Sequence, residues 1–154
     1  MSQGESVFRG VAQLNLDSKG RLAVPSRFHD AIAARCSGQL IVTADSDRCL
    51  LIYPLPDWEP IEQKLMSLSS FNAQIRELQR RLVGYAENVV MDATGRILVP
   101  PALRHFAQLE KSVVLVGQGA KFELWNKDNW EQRMEQGGGF GPGGLPPELE
   151  GFSL

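Results

Sequence analysis

An internal repeat is the feature that most constrains this chain. The motif DSKGRLAVP begins at Asp17, and DATGRILVP begins at Asp92, 75 residues later. With short skips the match continues, placing 39–44 over 112–117 and 50–58 over 122–130. Because the elements keep the same order over about 50 residues in each copy, we interpret the chain as two copies of one small module.

Each copy has the pattern of a small α+β unit. Residues 11–16 alternate in a way that predicts a strand, and Gly20 allows a tight turn into a second strand that Pro25 ends. A helix and two more strands follow, after which Asp57 is expected to cap another helix. The predicted organisation is a first module at 7–56, a helical linker at 57–82, a second module at 83–134 and a flexible Gly- and Pro-rich tail at 135–154.

Charge is distributed unevenly between the two copies. The chain of 154 residues has a net charge of −2, which excludes a generally basic nucleic-acid coat but allows a local basic patch. Residues 8–36 hold five Arg or Lys against two Asp, a net charge of +3, whereas residues 83–109 balance to zero. The basic first module indicates a nucleic-acid face on one side of the protein.

The sequence contains few features that indicate an enzyme or a metal site. His29 and His105 do not occupy equivalent repeat positions, and neither a phosphate-binding loop nor a nucleophile elbow is present. Cys36 and Cys49 are too far apart for a CxxC site and are interpreted as reduced thiols. We therefore expect no catalytic residue, metal, cofactor or small-molecule substrate. With no signal-peptide pattern and no apolar run near ~18 residues, a cytosolic protein without membrane association is expected.

Aromatic and apolar side chains outside the repeated motif are expected in packed positions. Tyr53 and Trp58 coincide with Trp125 and Trp130 in the repeat, where a strand meets a helix. Stacking on exposed bases is one possible use of such rings, but their position favours core packing.

The repeated hairpin keeps Asp, Gly, Arg and Pro while Ser18-Lys19 is replaced by Ala93-Thr94. A single copy is explained by turn structure alone, since an Asp before a turn commonly binds backbone amides. Two copies favour a function, because Arg offers a planar fork of donors that suits phosphate oxygens or guanine O6 and N7. An Asp four residues before each Arg favours an ion pair that orients this fork.

The quoted motifs, together with LLIYPLPDWEPIEQKL and KFELWNKDNW, resemble the MraZ family of bacterial transcriptional regulators over about residues 7–134. The resemblance implies two tandem AbrB/SpoVT-like modules that form one pseudo-twofold β-barrel flanked by helices. It also implies a homo-oligomeric ring that binds double-stranded DNA at direct promoter repeats, represses its own division and cell wall gene cluster, and associates with the nucleoid.

The same resemblance assigns roles to residues of both hairpins. The DNA-binding set is Arg9, Lys19, Gly20 and Arg21 in the first module and Arg96 in the second. The motif positions with a structural role are Asp17, Pro25, Asp92, Gly95 and Pro100. The alternative is an interaction module of the antitoxin type, although such proteins usually carry one hairpin module and a tail that wraps a toxin.

Overall fold

The computed structural model describes residues 7–137, 146–149 and 151, and this part of the chain is α+β as predicted. The first copy contains β1 (Phe8–Asn15), β2 (Arg21–Ala23), α1 (His29–Cys36), β3 (Gln39–Ala44), β4 (Leu50–Pro54) and α2 (Leu55–Met66). Helix α3 (Ala73–Leu78) continues into a π-helical turn, Gln79–Val83, between the copies. The second copy contains β5 (Glu87–Val90), β6 (Arg96–Leu98), α4 (Pro101–Phe106), β7 (Ser112–Gly119), β8 (Lys121–Asn126) and α5 (Lys127–Gln136).

The two copies are interlocked through one antiparallel sheet. Its strand order is β1-β7-β8-β4-β3-β5, so the first strand of each copy pairs with a strand of the other copy. Val11 of β1 lies opposite Val116 of β7, and Val89 of β5 lies opposite Leu40 of β3. Exchanging the two copies leaves this order unchanged, so the pairing itself has an approximate twofold relation.

Strands β2 and β6 form a two-stranded ribbon that has the same approximate twofold relation and contributes side chains to the core. Leu22 lies opposite Ile97, and both side chains are buried. The amide of Val24 donates to the Gly95 carbonyl at 2.9 Å, and the amide of Val99 donates to the Gly20 carbonyl at 3.0 Å. The two hairpins therefore satisfy each other's backbone groups.

The strand pairing differs from the closed barrel implied by the resemblance. Strands β1 and β5 are the two edges of the sheet, and no ladder within the described residues joins them. Strands β2 and β6 are only three residues long and lie shortly before Pro25 and Pro100. Because proline has no N–H to extend a ladder, these strands form a separate short ribbon instead of closing the sheet.

Aromatic rings from both copies fill the core beneath the sheet. Phe8 stacks on Phe122 with ring centroids 4.3 Å apart, and Phe28 meets Phe122 edge-on at 5.0 Å. The alternation predicted in β1 is present, since Val11, Gln13 and Asn15 are exposed whereas Ala12 and Leu14 are half-buried.

The predicted packing of the repeat aromatics is confirmed for two tryptophans. Trp58 and Trp125 are 1% and 4% exposed. Trp130 packs against Trp125 at 5.7 Å, and Tyr53 lies 5.6 Å from Trp58. These rings hold α2 and α5 against the sheet and are not presented as a base-stacking platform.

The helix that follows β4 begins earlier than predicted. Helix α2 starts at Leu55 directly after Pro54, and no side chain caps it, so the predicted capping role of Asp57 is wrong. Asp57 lies within the first turn and accepts a 2.8 Å hydrogen bond from the Arg35 guanidinium, which ties α2 to α1. The predicted tail at 135–154 overlaps the end of α5, and most of its remainder lies outside the described residues.

Candidate nucleic-acid interface

The first hairpin turn is built by the Asp17 carboxylate. Its Oδ1 atom accepts the backbone N–H groups of Lys19 and Arg21, each at 2.9 Å. The Gly20 amide donates to the Asp17 carbonyl at 3.0 Å, and Gly20 has φ +86°, a conformation that favours glycine. The tight turn and the positive φ of Gly20 are as the sequence predicted.

The second oxygen of the same carboxylate orients Arg21. Asp17 Oδ2 lies 2.8 Å from Arg21 Nε, so it contacts one edge of the guanidinium and leaves the terminal nitrogens outside this bond. The Arg21 side chain is 37% exposed. Hydrogen bonds from the Arg21 backbone and side chain lower the pKa of Asp17 to about 2. A carboxylate that is ionised at neutral pH therefore holds the partly exposed Arg21 guanidinium in one orientation.

Two other predicted cations lie on the outer surface of the first module. Lys19 is exposed at the tip of the turn, and Arg9 is exposed on edge strand β1 opposite Gln118. Neither side chain takes part in an ion pair among the described residues. Lys19 and Arg21 thus share one turn, whereas Arg9 belongs to the neighbouring strand.

The second hairpin repeats the turn without the ion pair. Asp92 Oδ1 accepts the N–H groups of Thr94 and Arg96 at 2.9 Å, and Gly95 has φ +83°. Arg96 Nε donates instead to the Thr94 hydroxyl at 3.3 Å, so the expected Asp92–Arg96 pair is wrong. The Thr94 hydroxyl itself donates to Asp92 Oδ1 and so stands between the two charges. The backbone hydrogen bond from Arg96 is the largest cause of the lowered pKa of Asp92.

Each hairpin glycine is covered by a side chain of the opposite copy. Arg104 of α4 donates through Nε to the Val99 carbonyl at 2.9 Å, and its guanidinium lies over Gly20, where an added Cβ would meet it at 2.6 Å. His29 covers Gly95 in the same way, with Nε2 2.6 Å from the Val24 carbonyl.

Sequence reasoning missed this role of Arg104. The signal was the repeat itself, since the offset of 75 places Arg104 over His29. Arg48 and Lys111, which lie near the first hairpin, carried no comparable signal.

The described residues contain no group of three or more His, Cys, Asp or Glu side chains that could hold a metal ion. Both cysteines are free thiols, and burial raises the pKa of Cys36 and of Cys49. Among the helices that the structure describes, none has the length and apolar character to cross a membrane.

Comparison with known proteins identifies close relatives over most of the chain. A family model described as "MraZ protein, putative antitoxin-like" matches residues 7–81 and again residues 82–137. A protein of Nitrosospira multiformis is 63% identical over 148 residues, covering 96% of this chain and 100% of the relative. Relatives from Thiobacillus denitrificans and Pseudomonas aeruginosa are 56% and 50% identical, each covering 96% of this chain and 100% of the relative. All three are named "Transcriptional regulator MraZ".

Proposed function

The chain belongs to the MraZ family, and from this premise we propose that it is a sequence-specific DNA-binding repressor of its own division and cell wall gene cluster. In this proposal it acts in the cytoplasm at the nucleoid, as a homo-oligomeric ring on direct promoter repeats, with no cofactor and no catalytic activity. The names of its relatives support a role in transcriptional regulation.

The first hairpin is the observation that carries the proposal. Asp17 holds Arg21 by one nitrogen at 2.8 Å, while the turn exposes Lys19 beside it. A guanidinium fixed in this way keeps donors for guanine O6 and N7, and the neighbouring ammonium suits a phosphate. Less conformational freedom is then lost on binding, because the fork is oriented before DNA arrives.

The second hairpin contributes less in this proposal. It has no lysine at its turn, and its Arg96 is bound to Thr94 rather than held by a carboxylate. We assign it a supporting contact with the DNA backbone, and we assign Arg9 a backbone contact on the outer strand.

Ring assembly provides affinity that one hairpin lacks. A few cations on a chain of net charge −2 give weak and salt-sensitive binding. Several subunits on several evenly spaced repeats act through effective concentration, which raises total affinity by roughly 10²–10⁴ without a new contact. The subunits and the repeats are thus two parts of one arrangement.

The test uses the full chain and DNA from upstream of its own gene. We expect Arg21→Ala to abolish binding in a gel-shift assay at moderate salt while the oligomer, measured by light scattering, stays unchanged. Lys64→Ala, which removes an exposed cation of α2, should leave binding intact. Retained specific binding by Arg21→Ala would contradict the assignment of this residue.

The antitoxin type of interaction module remains the second candidate, because the description of the matching family includes that likeness. A variant that lacks residues 137–154 separates the repressor from the antitoxin candidate when its binding to promoter DNA and to a protein partner is measured. A repressor that reads DNA with its hairpins keeps promoter binding, whereas an antitoxin whose tail wraps a toxin loses its protein partner.

A further inference from the structure

Two clefts occupy equivalent places in the two copies. The first cleft is an open groove of about 1340 Å³ between the first hairpin and α4, and the second is an open groove of about 300 Å³ between the second hairpin and α1. Their walls correspond through the repeat, with Arg104 in the place of His29 and Lys111 in the place of Gly38. They are therefore two versions of one site.

The charges of the two clefts have diverged. Arg48, Arg104 and Lys111 line the first cleft, against the carboxylates of Asp17 and Glu110. The second cleft is lined by two carboxylates, Asp30 and Asp92, and by no Arg or Lys among the described residues. The same backbone site is thus cationic in one copy and acidic in the other.

The cations of the first cleft are available to a ligand. Lys111 is exposed and has no carboxylate within ion-pair distance in the described ranges. Arg104 is held through Nε by the Val99 carbonyl, as described above. Asp17 is already paired with Arg21, so Glu110 is the one remaining counter-charge in the wall.

Aromatic rings position the third cation. The Arg48 guanidinium lies 4.7 Å from the centroid of the Phe106 ring, which in turn meets Tyr85 at 5.0 Å. A guanidinium stacked on a ring by its face keeps its edge N–H groups directed outward. Such an edge suits a phosphate, because it offers two donors to two oxygens.

We propose that the first cleft binds a phosphate group and that the second cleft does not. The phosphate comes either from the DNA strand beside the base pairs that the first hairpin contacts, in which case the inference rests on the proposed function, or from a free nucleotide. Both sources present a tetrahedral phosphate to Arg48, Arg104 and Lys111, as a phosphodiester monoanion in DNA or as the more highly charged terminal phosphate of a free nucleotide.

Lys111→Gln and Arg48→Gln test the DNA source without touching the hairpin. Each lost phosphate contact should lower the slope of log affinity against log salt by about 0.9, so that from 50 to 200 mM salt the affinity of the variant falls about 3.5-fold less than that of the wild type. The loss should be equal for matched and mismatched promoter sequences, since phosphate contacts carry no sequence information. Lys64→Gln, which removes an exposed cation elsewhere, should keep the wild-type slope.

A thermal-shift titration with magnesium-free ATP and with inorganic phosphate tests the free source. Stabilisation of the wild type that is lost in Lys111→Gln and kept in Lys64→Gln would support the cleft as a nucleotide site. An unchanged salt slope together with no ATP or phosphate effect on the wild type would overturn the inference, even if promoter binding through Arg21 is intact. Failure of the wild type to bind promoter DNA would overturn the proposed function and leave the cleft to be decided by the ATP titration. Circular dichroism of each variant checks that it is folded.

Discussion

At the scale of single residues, one carboxylate performs two tasks in the first hairpin. Asp17 Oδ1 closes the turn, and Asp17 Oδ2 orients Arg21. The sequence motif predicted both, because an Asp before a turn commonly binds backbone amides and an Arg four residues later favours an ion pair. It did not predict that Thr94 would replace this arrangement in the second hairpin, since a hydroxyl at that position can bind either partner.

The Asp17 carboxyl should therefore titrate far below its ordinary range. We expect the carboxyl carbon resonance to give a midpoint at about 2, against the ordinary 3.8. Because the folded pKa is lowered, the stabilisation from this group is complete above pH 3.8 and is lost as the pH falls towards 2. The variant Asp17→Asn should keep the turn through the amide Oδ1, lose the ion pair and show no such acid dependence. A midpoint near 3.8 would contradict the hydrogen bonding described here.

At the scale of elements, the ribbon of β2 and β6 is a second link between the copies, beside the six-stranded sheet. Alternation over residues 11–16 predicted the first strand, whereas the burial of Leu22 and Ile97 in the second strands is a finding of the structure. It could not predict that β1 pairs with β7 or that β2 pairs with β6, because a period of two identifies a face and not a partner.

Neighbouring residues of β6 provide a matched test of this ribbon. Ile97 is 1% exposed, and Leu98 next to it is 51% exposed. We expect Ile97→Ala to lower the free energy of unfolding by about 2–5 kcal/mol, because it leaves a cavity where the copies meet. Leu98→Ala should change it by less than about 0.5 kcal/mol. Urea denaturation measures both, and equal losses would contradict the burial of the ribbon.

At the scale of the whole molecule, neither copy completes its sheet alone, although β3 pairs with β4 and β7 pairs with β8 within the copies. Each edge strand is held by the other copy, and Arg133 of α5 pairs with Asp47 of the first copy at 3.2 Å. The repeat in the sequence was enough to predict two modules of the same order. It was not enough to predict the open sheet, because closure depends on where the prolines end β2 and β6.

Unfolding should accordingly be a single transition. Trp58 reports on the first copy, and Trp125 and Trp130 report on the second. In Trp58→Phe, and separately in the double variant Trp125→Phe/Trp130→Phe, the remaining tryptophan fluorescence and far-UV circular dichroism should give the same urea midpoint. Two midpoints in either variant would show that the copies unfold independently.

The linkage of both copies in one polypeptide has a consequence for how the protein can change. In an assembly of two identical chains, every substitution appears twice, on both sides of the symmetry axis. Here His29 and Arg104 stand at matching positions with different chemistry, as do Lys19 and Thr94. Because both copies lie in one polypeptide, a substitution can change one copy alone, so that one copy can acquire a new role while the other keeps the shared architecture.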